Sequence, residues 1–160
     1  MSNYPNKKVL VNNLLSGLGA FLCISCLAFL NLTENGNLWL IPPFGASMVL
    51  VMAVHESPLA QPKNVLLGHI LSAMGGVLIY SFMGASALSI GLSVGLAVFL
   101  MASFKVIHPP AGANPIIAVL GGEGLDFILM PVALGAIFIV LFAIVYNKIL
   151  KRKTQPIFFP

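Results

Sequence analysis

The stretch IHPPAGANPI, residues 107–116, places a histidine, three prolines and an asparagine inside a chain that is otherwise almost continuously apolar. Two consecutive prolines remove two backbone donors and disfavour helix at the residue before each ring, so the chain is expected to run extended up to Pro110. Asn114 is then placed to cap a new helix, with Pro115 at the favoured first position. What such a break is for depends on what surrounds it.

The surroundings are oily. Of 160 residues, 59% are apolar and only 8% are charged, which is too little polar surface for a soluble domain. Apolar segments run at about 9–30, 38–54, 64–83, 85–104, 106–121 and 128–147, and roughly 20 such residues carry a helix across a bilayer. The fold class expected is therefore an all-α polytopic membrane protein, a single domain with six membrane segments and short connections. Lys7 and Lys8 before the first segment imitate a secretory signal, but the stretch is long and no small-x-small cleavage site follows, so it reads as a retained span. Cys23 and Cys26 lie in the middle of that span with no group beside them to lower a thiol pKa, and read as buried small residues.

With the N-terminus cytoplasmic and all six segments crossing, Lys7, Lys8, Lys63, Lys105, Lys148, Lys151, Arg152 and Lys153 fall on the inner side. The outer connections hold Glu34, Glu123 and Asp126 and no cation. A re-entrant 106–121 would put the basic C-terminal run outside, against this pattern. The net charge of +4 thus reports membrane orientation, and no nucleic-acid partner is expected.

Sliding the chain over itself by 67 residues lays PPFGAS (42–47) on PPAGAN (109–114). Identities continue at Glu56 on Glu123, Val65 on Val132, Leu67 on Leu134 and Gly68 on Gly135. A duplicated three-segment unit explains them, with repeat 1 at about 9–83 and repeat 2 at about 84–150. An odd number of spans per unit inverts the second copy. Transporters built this way bind substrate near the midplane, where broken helices of the two copies meet.

Each copy has one such broken segment. Helix is expected to restart at Met48 and at Pro115, with Ser47 and Asn114 as matching N-caps, giving half-helices of about 10 Å whose N-termini face each other at depth. Each N-terminus carries roughly half a positive charge and unpaired N–H groups. Gly45, Ala46, Gly112 and Ala113 have little or no side chain, so a small anion could approach the backbone there. Proline and glycine also serve kinks and close packing in membrane helices. The duplication at matching positions favours a site.

His108 stands where the first copy has Ile41, and either meets an anion or proton or hydrogen-bonds loop carbonyls. His69, inside the third segment, fits a pore-lining or proton-relay role or a structural bond to another span. Gln61 and Asn64 open that segment as caps or as lining of the inner entrance, His55 and Glu56 read as solvated, and Trp39 as an interfacial anchor. Enzyme and metal motifs are absent from the sequence, and neither catalysis nor a cofactor is expected.

The stretches PPFGASMVLV (42–51), SPLAQPKNVLLGHILSAMGGV (57–77) and HPPAGANP (108–115) resemble the HPP family of small integral membrane proteins. The resemblance covers nearly the whole chain and implies membrane transport, since members in chloroplasts and cyanobacteria are associated with nitrite. The motif positions it carries over are Pro43, Phe44, Gly45, Ala46 and Ser47; Gln61, Pro62, Asn64, Gly68 and His69; and His108, Pro109, Pro110, Ala111, Gly112 and Ala113. Many members have threonine where Asn114 stands. The expectation is a nitrite-like anion transporter in a bacterial or archaeal plasma membrane, both termini cytoplasmic, self-associating in the bilayer. It binds its anion at residues 43–47 and 108–114, with His69, Gln61 and Asn64 as pore or relay. A water or neutral-solute channel and a non-conducting accessory subunit are the alternatives.

Overall fold

The computed structural model describes residues 6–33 and 38–152, so Glu34 and Lys153 lie outside the described residues. Its regular elements are all helical. They are α1 (Lys7–Thr33), α2 (Pro42–Ala53), α3 (Pro62–Met83), α4 (Ala87–Ser103), α5 (Asn114–Gly121) and α6 (Leu125–Ile149), with 3₁₀ turns at Pro58–Ala60 and Pro109–Ala113.

Local chemistry sets most of the boundaries. Ser86 and Ser89 form a reciprocal capping box at the head of α4. Gly122, at φ 68°, takes the left-handed conformation that ends α5. In α6, Pro131 cannot donate to the helix ladder, and Met130 beside it leaves helical geometry (φ −137°, ψ 121°), so this helix too is broken, which the apolar run 128–147 does not announce. Three helices, α1, α3 and α6, are long and apolar enough to cross a membrane, while α2 and α4 are shorter apolar helices.

The two proline pairs act differently from the sequence expectation. Extended backbone stops at Ile41 (φ −125°, ψ 148°) and His108 (φ −136°, ψ 99°), and helix begins on the first proline of each pair. Neither Ser47 nor Asn114 is an N-cap. The reason is that prolines at the first two helical positions have no N–H to satisfy and a ring already fixed near helical φ. The third donor is met by the residue before the pair: Phe44 N–H donates to the Ile41 carbonyl and Ala111 N–H to the His108 carbonyl, both at 3.0 Å. No half-helix starts at Met48; α2 runs its twelve residues from Pro42.

α3 is the central post. It packs against α4, against the 109–113 turn and α5, and against the broken part of α6, while α2 lies against α1, α6 and the 109–113 turn. Small residues at Gly68, Ser72 and Gly76 give α3 a face that residues 106–118 can approach to backbone contact. A Cβ at Gly68 would stand 2.8 Å from His108 Cβ, and one at Gly76 would stand 2.6 Å from Pro115 Cα. On α6, a Cβ at Gly135 would collide with the Phe44 ring. The outer surface carries exposed Leu14, Phe21, Phe29, Phe82, Leu141 and Ile149, the apolar exterior that a lipid solvent requires.

Candidate functional site

Polar side chains are scarce among the buried residues, and five of them converge. Ser47 of α2, His69 and Ser72 of α3, His108 at the head of the 109–113 turn and Asn114 of α5 are all fully buried. An uncompensated polar group in such a place is costly, and here almost every one is bonded to another.

Asn114 Nδ2 donates to the His69 carbonyl and to His69 Nδ1, each at 3.0 Å. His69 Nδ1 is thereby an acceptor, so a neutral His69 carries its proton on Nε2 and donates to Ser47 Oγ at 2.8 Å. At the far end, His108 Nδ1 lies 2.8 Å from the Leu59 carbonyl, which can only accept, so His108 carries its proton on Nδ1. His108 Nε2 then accepts from the Ser47 hydroxyl at 2.8 Å. The result is one chain of hydrogen bonds running in a single sense from Asn114 through His69 and Ser47 to His108, with the two imidazoles in opposite tautomers. Ser47 Oγ also lies 3.1 Å from the Pro43 carbonyl. Phe44 meets His69 edge-on at 5.3 Å, and the two imidazole rings stand 5.0 Å apart. Asn114 Oδ1 is left without a partner.

The expected site residues divide on this geometry. Phe44, Ser47, His69, His108 and Asn114 come together, and Ser72 Oγ donates to the Ala111 carbonyl beside them. Gly45 and Ala46 instead face outward on α2, where Gly45 borders a groove of about 220 Å³ against α1. Pro109 is exposed, and Gly112 and Ala113 are half-buried. Gln61 Nε2 donates to the His55 and Ser57 carbonyls at 3.1 and 2.6 Å, and Asn64 Nδ2 to the Ile107 carbonyl at 2.9 Å. Both therefore brace the loops that carry Leu59 and His108. Among the described residues no cluster of three or more His, Cys, Asp or Glu could hold a metal.

Sequence reasoning missed Ser72, although its spacing of four from both Gly68 and Gly76 marks a small-residue face. It also missed a second polar cluster at the ends of α1, α2 and α6. Arg152 donates to the Met52 and Asn12 carbonyls, each at 3.0 Å, and to Ser16 Oγ at 3.1 Å. Asn147 Nδ2 donates to the Val51 carbonyl at 3.2 Å, so the last carbonyls of α2 are capped from α6 and the residues that follow it. Beside this clasp a cavity of about 60 Å³, large enough for water, is bordered by Val51, His55, Ala60, Gln61, Val65 and Asn147.

The family described as HPP, transmembrane region, matches residues 5–156. A transmembrane protein of Dictyostelium discoideum is 36% identical over 154 residues, covering 89% of this chain and 50% of that protein. A second from the same organism is 37% identical over 127 residues, covering 74% and 45%. The chain thus spans about half the length of the curated relatives it matches. No solved structure matches it.

Proposed function

The chain belongs to the HPP transmembrane family, and on that footing we propose that it transports a small inorganic anion, with nitrite the first substrate to test. The observation that carries this reading is the buried chain Asn114, His69, Ser47, His108, which joins four parts of an apolar bundle through side chains able to donate to an anion. Polar groups are retained at such depth at a cost, and function is the usual reason.

The geometry changes how the anion would be held. The proline pairs and the bonds from Phe44 and Ala111 use up the backbone donors that a bare helix N-terminus would offer. Donors must come from the side chains of Ser47, His69, His108 and Asn114 once the centre opens. Six membrane segments in two inverted repeats, with both termini cytoplasmic in a plasma membrane, complete the reading. One packing feature supports the repeat: Gly68 receives His108, and Gly135, 67 residues later, receives Phe44, so each half takes a side chain from the proline motif of the other.

Purified protein in liposomes is expected to take up nitrite well above empty liposomes, and Ser47→Ala or His69→Gln to cut that flux. Flux equal to empty liposomes overturns the proposal. A non-conducting membrane subunit is the competing reading, favoured by the way the central side chains satisfy one another; the same flux measurement separates the two.

A further inference from the structure

The hydrogen bonds at the centre leave one place where an added proton can be received without moving a heavy atom. His69 offers none. A second proton on its Nδ1 would point at the Asn114 amide nitrogen, and turning that amide over would set Oδ1 against the His69 carbonyl, which Nδ2 now meets at 3.0 Å. His108 differs. Its Nε2 faces a hydroxyl that has a second acceptor within reach, the Pro43 carbonyl at 3.1 Å.

We propose that His108 Nε2 is the proton-binding site of this protein, and that the Ser47 hydroxyl is its swivel, turning from His108 to the Pro43 carbonyl when the proton arrives. One N–H bond forms on His108, and no bond breaks in Ser47, whose O–H only rotates. In the proton-loaded state Ser47 Oγ accepts from both imidazoles and donates to Pro43, so every partner is satisfied. Ile41 occupies the counterpart position in the first half, so each chain holds one such site.

Among the described residues no carboxylate is buried beside the charge gained there. His69 is the titratable group in ring contact with His108. His55 and Glu56 before the Pro58–Ala60 turn, Lys63 on α3 and Lys105 after α4 belong to the surrounding elements, with side chains half-buried or exposed rather than fully buried at the centre. The sequences of α2, of the 109–113 turn and of α5 contain no titratable residue. A buried imidazolium without a carboxylate is costly, and an anion beside it removes much of that cost. Resting on the anion reading above, this makes the carried species a proton together with an anion. The cavity bordered by Ala60 and Val65 reaches the residue next to Leu59, whose carbonyl holds His108.

Nitrogen NMR of the full chain in lipid bilayers, with ¹⁵N-labelled histidine and His55→Gln to simplify assignment, tests this directly. At alkaline pH, His69 is expected as the Nε2–H tautomer and His108 as the Nδ1–H tautomer. On acidification His108 takes its proton before His69, and sodium nitrite moves that titration to higher pH. Equal tautomers, or His69 titrating first, overturns the proton site whatever nitrite does. Opposite tautomers in the expected order, with nitrite leaving His108 unmoved, uphold the site and overturn the anion reading. Ser47→Ala should push His108 protonation to lower pH and Ser47→Thr restore it; if Ser47→Ala folds and leaves the titration unchanged, the swivel is wrong.

Discussion

The two proline motifs, IPPFGAS at 41–47 and HPPAGAN at 108–114, begin alike and end differently. In both, the residue before the prolines is extended and its carbonyl accepts from the third helical N–H at 3.0 Å. After that, the first continues as an α-helix, whereas the second makes a 3₁₀ turn before α5 begins. The first sends an apolar ring, Phe44, onto Gly135, and the second sends an imidazole, His108, onto Gly68. The shared half of the motif is a way to start a helix without free donors. The unshared residues, His108 and the Ser47 and Asn114 pair, join His69 and Ser72 of α3 in the polar centre.

Making the halves alike should have the largest effect. His108→Ile copies Ile41 into the second motif, and is expected to abolish proton uptake linked to nitrite while the protein still inserts and purifies as a folded species. A variant that keeps that uptake would show that the asymmetry is incidental. Next come the two receiving glycines. Gly68→Ala drives a Cβ to 2.8 Å from His108 Cβ and 3.0 Å from the Val106 carbonyl, with little room to yield, and should cost about 3 kcal/mol of stability. Gly135→Ala meets the far end of the Phe44 ring, which can tilt, and should cost about 1–2 kcal/mol. Unfolding in mixed detergent would read both, and equal losses would mean that the two halves are packed alike after all.

Ser47→Ala leaves a donor on His69 and an acceptor on His108 unmet, and should cost about 2 kcal/mol. The same unfolding assay applies, with Ser47→Thr expected to recover most of the loss. The smallest effect belongs to Gly45, where an added Cβ meets nothing within 4 Å. Gly45→Ala should stabilise α2 by about 0.5 kcal/mol and leave nitrite flux unchanged. Loss of flux there would place the anion path along the α1–α2 groove instead of the centre.

Much of the architecture was legible in the chain. Hydropathy announced helices in lipid because each helix satisfies its own backbone, so length and composition alone carry the signal. The self-match at 67 residues points to Pro43, Ser47, Pro110 and Asn114 without any geometry. Ser47 and Asn114 are residues suited to capping, yet neither caps a helix, because prolines at the first two helical positions leave no free donor at the start. Gly45 and Gly112 looked like bare backbone at a site, but which face of a helix turns inward is set by its neighbours.

Composition and motif spacing are enough to mark a helical membrane chain of the HPP family with two related proline motifs and histidines at positions where lipid tolerates few polar groups. Those properties are local, written in runs of residues and in ring chemistry. Packing between distant segments is what sets Ser47 between His69 and His108, lets Asn114 and the Leu59 carbonyl fix opposite tautomers, and has Arg152 tie the end of α2 to α1. These partners lie 22, 61, 45, 49 and 100 residues apart. A hydrogen bond acts over about 3 Å, so which groups come within that reach was settled by how α3, with its small-residue face, lets the other segments close upon it.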